Sequence, residues 1–267
     1  MPNSGRVKRL RVALGTLVAV EATSTSDAAA AAAVEAAFAA VTQVDRRMHP
    51  TSADSDLAKI NNAPVGMPVC VHGSTCDLLA LARRLNTLTH GVFDPCLPTR
   101  AGRLQDVEVS GNEVVSHAPV EIDFGGFAKG YAVDCAIEAL MAHGCSAGLV
   151  NAGGDLRVFG SYVEPIFLRR AAGVATEIRL RDAALAVSDV TWQGRPAEHR
   201  GYYVRAERAQ LVGTGAVPVR DFAAVRADKT VIADAIAKCV LLCPGETTAR
   251  VLRAFDAAEI GRSIGLP

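Results

Sequence analysis

The sequence predicts an α+β fold, a mixed α/β chain whose sheets are flanked by helices. Amphipathic helical stretches and short apolar strand-like runs are interspersed, without the regular strand–helix–strand repeat that predicts a parallel sheet. The chain has 267 residues and half of them are apolar, which is enough for a sizeable core. Since the sequence has no internal repeat and no long linker, we expect a single domain over residues 1–267, with its core at about 11–258.

The first half of the chain is expected to supply one strand and three helices before a hairpin. Residues 11–21 predict a strand with a kink at Gly15. Ser26 is a predicted N-cap for an Ala-rich helix over residues 28–44, because its hydroxyl can accept from a free N–H of the first turn. The elements expected next are a short helix at 55–61, a longer amphipathic helix at 73–90, and a hairpin within 100–120 that turns at Gly111 and Asn112.

The second half is expected to contain further strands between a central helix at about 127–143 and two closing helices. Residues 196–201 predict a loop. The predicted strands are 156–159, 166–168, 178–180 and 185–187, with weaker candidates at 202–204, 210–212 and 222–225, and the closing helices lie at about 232–242 and 246–258.

The charge balance argues against binding to nucleic acid, and the length of the apolar runs argues against a membrane span. Lys plus Arg and Asp plus Glu number 28 each, so no strong basic field predicts binding to nucleic acid. No apolar run is long enough to predict a membrane span. The apolar stretch 12–20 is short, and it has neither a cleavage site nor a cysteine placed for lipid attachment. We therefore expect a cytoplasmic protein, whose oligomeric state the sequence leaves open.

The cysteine content favours reduced thiols. There are seven cysteines, an odd number, in a chain that is not a short secreted scaffold. Cys239 and Cys243 are four residues apart on one face of a predicted helix, but no other His or Cys completes a zinc set around them. We interpret both as core residues.

Two glycine-rich stretches are the strongest candidates for a binding site. Residues 123–134 read DFGGFAKGYAVD, where a turn with two glycines opens into the predicted central helix. Residues 150–155 read VNAGGD, a second glycine pair. Paired glycines let the backbone approach a ligand closely, and a helix N-terminus presents N–H groups that suit phosphate. The alternative interpretation is two tight turns around a buried strand.

With these residues in order, the chain resembles the ApbE family, the FAD:protein FMN transferases. Any one of the matching pieces is weak, but their common order is specific, and the block at 123–134 is the strongest. The pieces are Leu14-Gly15-Thr16, residues 55–61 (SDLAKIN), 91–95 (GVFDP), 123–134, 150–155 and Ala233-Asp234-Ala235.

The resemblance implies a fold and a reaction. The fold is the ApbE-like, T-fold-like architecture. The reaction is transfer of the FMN half of FAD to a Thr or Ser hydroxyl of a partner flavoprotein, with release of AMP and with assistance from Mg²⁺. Attack on a pyrophosphate needs a cation, backbone donors for the phosphates and a base for the hydroxyl proton.

The resemblance also assigns residues. Asp234 is implied as a metal ligand and catalytic carboxylate, together with the backbone carbonyl of Gly126. His199 lies at about the right distance before Asp234 to be the base, although a carboxylate is the alternative. The residues implied to contact FAD are Val92, Phe93, Asp94, Asp123, Gly125, Lys129, Asn151 and Gly153.

Several departures from the family's pattern leave a second reading open. The Thr expected four residues after Asp234 is Lys238, an ammonium that repels Mg²⁺ unless it swings away or replaces part of the metal's charge. Lys238 could also be a solvated helix residue in a shifted register. The flavin-stacking aromatic falls near Thr51, where the ring is missing. The alternatives are therefore a flavin-binding relative that does not transfer FMN, or that only hydrolyses FAD to FMN and AMP, and a scaffold protein with an empty site.

Overall fold

A computed structural model describes residues 5–160, 163–169, 175–189 and 220–260. A seven-stranded sheet in the order β1-β2-β6-β7-β10-β11-β12 forms the centre of this part of the chain, with all neighbouring strands antiparallel. A three-stranded sheet β3-β5-β4 and a two-stranded hairpin β8-β9 accompany it. The strands are β1 Gly5–Ala13, β2 Thr16–Ser24, β3 Val69–Cys70, β4 Val107–Ser110, β5 Glu113–Ser116, β6 Ala147–Ala152, β7 Asp155–Gly160, β8 Glu164–Arg169, β9 Ala175–Leu180, β10 Ala183–Asp189, β11 Phe222–Ala227 and β12 Ala258–Glu259.

Helices cover one face of the large sheet. Side chains of β6 alternate, so that Val150 and Ala152 pack against α1 and α4, while Leu149 faces the β8-β9 hairpin on the opposite face. The predicted cap of α1 is confirmed, since the Ala29 N–H donates to Ser26 Oγ at 3.2 Å. The helices are α1 Asp27–Met48, α2 Asp56–Asn62, α3 Gly73–Leu88, α4 Ala128–Ala142, α5 Thr230–Leu242 and α6 Gly245–Ala254, with a 3₁₀ turn at Leu104–Asp106.

Helix α1 is the one described helix that is long and apolar enough to cross a bilayer. Its Ala33, Val34, Ala37 and Phe38 side chains are buried with residues of β2 and α4. That packing is typical of the core helix of a globular fold.

The predicted strand at 11–21 is wrong in one respect, because it is a hairpin rather than one kinked strand. Leu14 and Gly15 both have positive φ, 54° and 68°, and they form the turn between β1 and β2. Two consecutive residues at positive φ match a tight hairpin turn, which reverses the chain where a kink would only bend it. Strand β6 is not among the predicted strands, because its small residues Ala147 and Gly148 carry no strand signal.

Most other predicted elements are confirmed. The hairpin that turns at Gly111 and Asn112 is β4-β5, and the weak strand at 222–225 is β11. The last helix ends at Ala254 rather than at 258, and β12 follows it. The loop predicted at 196–201 and the strands at 202–204 and 210–212 lie outside the described residues. All seven cysteines are free, and Cys239 and Cys243 are core residues as predicted.

Candidate functional site

Helices α4 and α5 cap each other with carboxylates. Asp134 of α4 accepts from the backbone N–H groups of Thr230 and Val231, both at 2.9 Å, at the N-terminus of α5. In return Asp234 of α5 accepts from the Gly130 N–H in the first turn of α4, at 3.0 Å. A carboxylate on a helix N-terminus satisfies otherwise unpaired donors and complements the positive end of the helix dipole. These contacts fix the crossing of the two helices and hold Asp234 at the start of α4.

Gly130 is required by the closeness of that crossing. A Cβ at this position would lie 2.5 Å from the Thr230 carbonyl oxygen and 2.8 Å from Asp234 Cβ. Arg157 of β7 supports the crossing from below, since its Nη1 lies 3.0 Å from Asp134 Oδ1. The motif residues Gly130 and Asp134 thus position the site rather than form its surface.

Two buried ion pairs occupy the space beside this crossing. Lys129 Nζ contacts Asp155 Oδ2, and Lys238 Nζ contacts Asp234 Oδ1. Both carboxylates are fully buried, whereas the Lys129 side chain is 30% exposed to solvent. Burial raises the pKa of the Asp155 carboxyl and the nearby Asp234 carboxylate raises it further, while Lys129 and Lys238 lower it. The four groups therefore form one interacting cluster, the Lys–Asp quartet.

The structure places the turn at residues 92–94, which the resemblance implies to contact FAD, beside the first glycine pair. The Asp123 N–H donates to the Pro95 carbonyl at 3.0 Å, and Cys96 forms a β-bridge with Ile122. Asp123 Oδ1 accepts from the Gly125 N–H at 2.6 Å, which closes the turn that leads into α4. These turns are therefore neighbours of each other and of Lys129.

Within the 92–94 turn, two side chains contact other residues of the protein. The Phe93 ring is buried and lies 5.7 Å from the Phe127 ring, measured between centroids. Asp94 Oδ1 accepts from the Cys96 N–H at 2.8 Å. Val92 is partly buried against the same core. The predicted FAD contacts of this turn stay a prediction.

The second glycine pair forms the turn between β6 and β7. Asn151 Oδ1 accepts from the Gly154 N–H at 3.0 Å, so its side chain braces the turn. Gly153 has a φ of 64°, and a Cβ there would lie 2.7 Å from Thr16 Oγ1. This close approach joins the sequence piece at Leu14-Gly15-Thr16 to the turn that ends next to Asp155. The alternative of two tight turns describes their geometry correctly, and FAD binding by Asn151 and Gly153 stays a prediction.

The described residues, as they are arranged, do not fit the Mg²⁺ that the resemblance implies at Gly126 and Asp234. Asp234 uses one oxygen for the Gly130 N–H and the other for the Lys238 ammonium. No group of three or more His, Cys, Asp or Glu side chains that could hold a metal ion occurs among the described residues. Mg²⁺ demands an octahedron of oxygen ligands, which an ammonium on its carboxylate ligand obstructs.

Sequence reasoning missed Asp155 as a site residue, although it follows the second glycine pair directly. It also left open whether Lys238 is solvated, and that possibility is wrong because the residue is only 6% exposed. The described residues include three buried side-chain oxygens without a hydrogen-bond partner, namely Asp155 Oδ1, Ser188 Oγ and Thr230 Oγ1. Pairing an Asp with a Lys four residues later on one helix is a signal that could have been used for Lys238. His199, the predicted base, lies outside the described residues.

Comparisons with solved structures confirm the α+β fold. The flavinyl transferase ApbE of Pseudomonas stutzeri, in its apo form, matches with a TM-score of 0.77 at 19% identity, over 94% of this chain and 89% of that one. The flavin transferase ApbE of Vibrio cholerae, as a variant in which one histidine is replaced by glycine, matches with a TM-score of 0.76 at 19% identity, over 94% and 91% of the two chains. The ApbE protein of Thermotoga maritima matches with a TM-score of 0.77 at 23% identity, over 96% and 94%.

Sequence comparisons identify the family. An FAD:protein FMN transferase of Rhodobacter capsulatus is 29% identical over 177 residues, in a match that covers 55% of this chain and 34% of that protein. The match thus spans about a third of the length of this curated relative. Residues 14–101 and 97–191 match the model of the ApbE family. Because these two ranges together cover more than half of the chain, the chain belongs to the ApbE family.

Proposed function

We propose that this protein transfers FMN from FAD to a Thr or Ser hydroxyl of a partner flavoprotein and releases AMP. Family membership and the activity for which the Rhodobacter capsulatus relative is named support the reaction class. The observation that carries the proposal is the start of α4. There an exposed glycine turn at Gly125 opens into a helix whose first turn carries the partly exposed Lys129.

The start of α4 suits a pyrophosphate group for three reasons. The helix dipole places partial positive charge at this end, and the partly exposed Lys129 ammonium, which contacts Asp155, adds a hydrogen-bond donor. Gly125 and Gly126 carry no side chain, so a phosphate can approach the backbone of the turn closely. These groups would bind the two phosphates and stabilise the negative charge that develops on them during transfer.

The proposed reaction exchanges the phosphoanhydride bond between the two halves of FAD for a phosphoester bond to the acceptor. The acceptor hydroxyl oxygen attacks the phosphorus of the FMN half and forms a new P–O bond. The P–O bond to the bridging oxygen breaks, and AMP leaves with that oxygen and the electron pair. The hydroxyl proton passes to a base, for which the resemblance offers His199 or a carboxylate. FAD and the acceptor hydroxyl are thereby converted to an FMN phosphoester and AMP.

We propose no catalytic step that involves Mg²⁺. The resemblance implies that Mg²⁺ would supply charge neutralisation between Gly126 and Asp234, and that implication stays a prediction. The Lys238 contact with Asp234 speaks against it, so we assign the donors for the phosphates to the start of α4 and to Lys129.

A second candidate function is favoured by the same contact. If the Lys–Asp quartet is a structural replacement for a lost catalytic centre, the protein binds FAD but either hydrolyses it to FMN and AMP or leaves it intact. This candidate predicts no covalent flavin on any acceptor protein.

The test is an assay with FAD and a flavoprotein that carries an acceptor Thr, performed in EDTA and in MgCl₂. Covalent flavin on the acceptor would be detected by fluorescence in a denaturing gel, and AMP by chromatography. An acceptor with its Thr replaced by Ala is the matched control and should remain unlabelled. Labelled acceptor and an equal amount of AMP are expected in at least one condition. AMP and FMN without labelled acceptor would support the hydrolytic alternative, and the absence of both products would refute the proposed transfer.

A further inference from the structure

The buried Lys238 ammonium contacts the Asp234 carboxylate and can balance its negative charge. The two residues lie one turn apart on α5, and only 8% of the Lys238 side chain and none of the Asp234 side chain is exposed. An exposed pair of this spacing contributes little to stability, but a buried ammonium must have an anionic partner. Lys238 is therefore held in place by Asp234, and it does not extend into solvent.

Both oxygens of Asp234 are already occupied in this arrangement. Oδ1 contacts Lys238 Nζ, and Oδ2 accepts from the Gly130 N–H at 3.0 Å. An incoming cation would have to displace either the ammonium or the donor that joins α4 to α5. Displacing the ammonium would bring two positive charges together in a buried region, where their repulsion is weakly screened.

The second carboxylate of the quartet is paired through one oxygen only, because Asp155 Oδ1 has no hydrogen-bond partner among the described residues. Asp155 is fully buried, and Lys129 contacts its Oδ2. Asp234 is close enough to raise the pKa of Asp155, so the two carboxylates repel each other when both are ionised. With two ammonium groups and two carboxylates, the quartet is formally neutral and has no net negative charge to attract a divalent ion.

We propose that the Lys238 ammonium is the resident counter-charge at Asp234, and that this protein binds FAD without a divalent cation. The FAD part of this inference rests on the proposed function, whereas exclusion of the cation by Lys238 does not. A hydroxyl at position 238 would remove the ammonium and leave Asp234 beside Asp155 with an unbalanced negative charge. The variant Lys238→Thr should therefore acquire a cation site that the wild type lacks.

The first experiment measures FAD affinity of the wild type by quenching of flavin fluorescence, in excess EDTA and in millimolar MgCl₂. We expect the two dissociation constants to agree within about twofold, which is a difference of well under 1.4 kcal/mol. A loss of affinity of about tenfold or more in EDTA would overturn the inference.

The second experiment uses protein without FAD and compares melting temperatures. Lys238→Thr should melt below the wild type, and MgCl₂ should raise its melting temperature more than NaCl of the same ionic strength does. Lys59→Thr, which removes an exposed lysine of α2, is the matched control. Neither the control nor the wild type should respond specifically to Mg²⁺. A specific Mg²⁺ response of the wild type that equals that of Lys238→Thr would overturn the inference.

The outcomes separate this inference from the proposed function. Equal FAD binding in both conditions without flavin transfer would refute the transferase and support the inference. If FAD binds in neither condition, the proposed function fails, and the melting comparison still decides whether Lys238 excludes the cation. If Lys238→Thr does not fold, a specific response of the wild type to Mg²⁺ refutes the inference and its absence supports it.

Discussion

Replacing Gly130 by Ala tests whether the α4–α5 crossing holds the site together. The added Cβ would lie 2.5 Å from the Thr230 carbonyl oxygen and 2.8 Å from Asp234 Cβ. Real Cβ contacts essentially never come this close, and the obstructing atoms belong to a helix backbone and to the base of a side chain. The two helices must therefore move apart, which lengthens the hydrogen bond that the Gly130 N–H donates to Asp234.

The expected magnitude follows from three opposing effects. Overpacking of this kind costs about 1–3 kcal/mol. Weakening a buried hydrogen bond to a charged acceptor costs up to about 1.5–3 kcal/mol more. Ala is a better helix former than Gly by about 1 kcal/mol, which offsets part of the loss. Since the first two costs share one displacement and do not simply add, we expect a net loss of about 2–3 kcal/mol.

The assay is urea unfolding followed by far-UV circular dichroism, with the free energy of unfolding extrapolated to water. Gly73→Ala is the matched control, because Gly73 is the first residue of α3 and an added Cβ would meet only Asn112 Oδ1 at 3.7 Å. The control should be neutral or slightly stabilising. If Gly130→Ala were as stable as the control, the tight crossing of α4 and α5 would be refuted, because helix propensity alone favours Ala at both positions.

Two further predictions concern the core around the site. Asp134→Asn should lower the free energy of unfolding by about 2–4 kcal/mol, because it leaves Arg157 without its charge partner and weakens the cap on α5. A change under about 0.5 kcal/mol in the same urea assay would contradict that role of Asp134. Cys243 is buried and burial raises its pKa to about 12, so below that pH the thiolate is scarce and alkylation is slow. At pH 8, mass spectrometry should find the exposed Cys70 alkylated well before Cys243, whereas both thiols should react in denaturant. Equal alkylation rates in the folded protein would contradict the burial of Cys243.

How much could be predicted depended on whether the signal was local. The helices with strong periodicity or a side-chain cap were predicted to within a few residues, because capping and burial of one face act within a single element. The hairpin turn at Leu14 and Gly15 was mistaken for a kink, since nothing in the neighbouring residues shows that β1 folds back on β2. Strand β6 was missed because residues such as Gly148 are selected by close packing against Phe159 and Leu140, and not by strand propensity.

The sequence by itself determined the family, the order of the glycine turns and the position of Asp234 and Lys238 on one helix face. Only the tertiary structure decided what those residues contact. Asp155 and Lys238 are far apart in the chain, and they join one charged cluster because α4 and α5 cross above β7. The same crossing decided that Lys238 is buried on Asp234 rather than solvated, because the favourable state of an ammonium depends on the charges and the solvent around it.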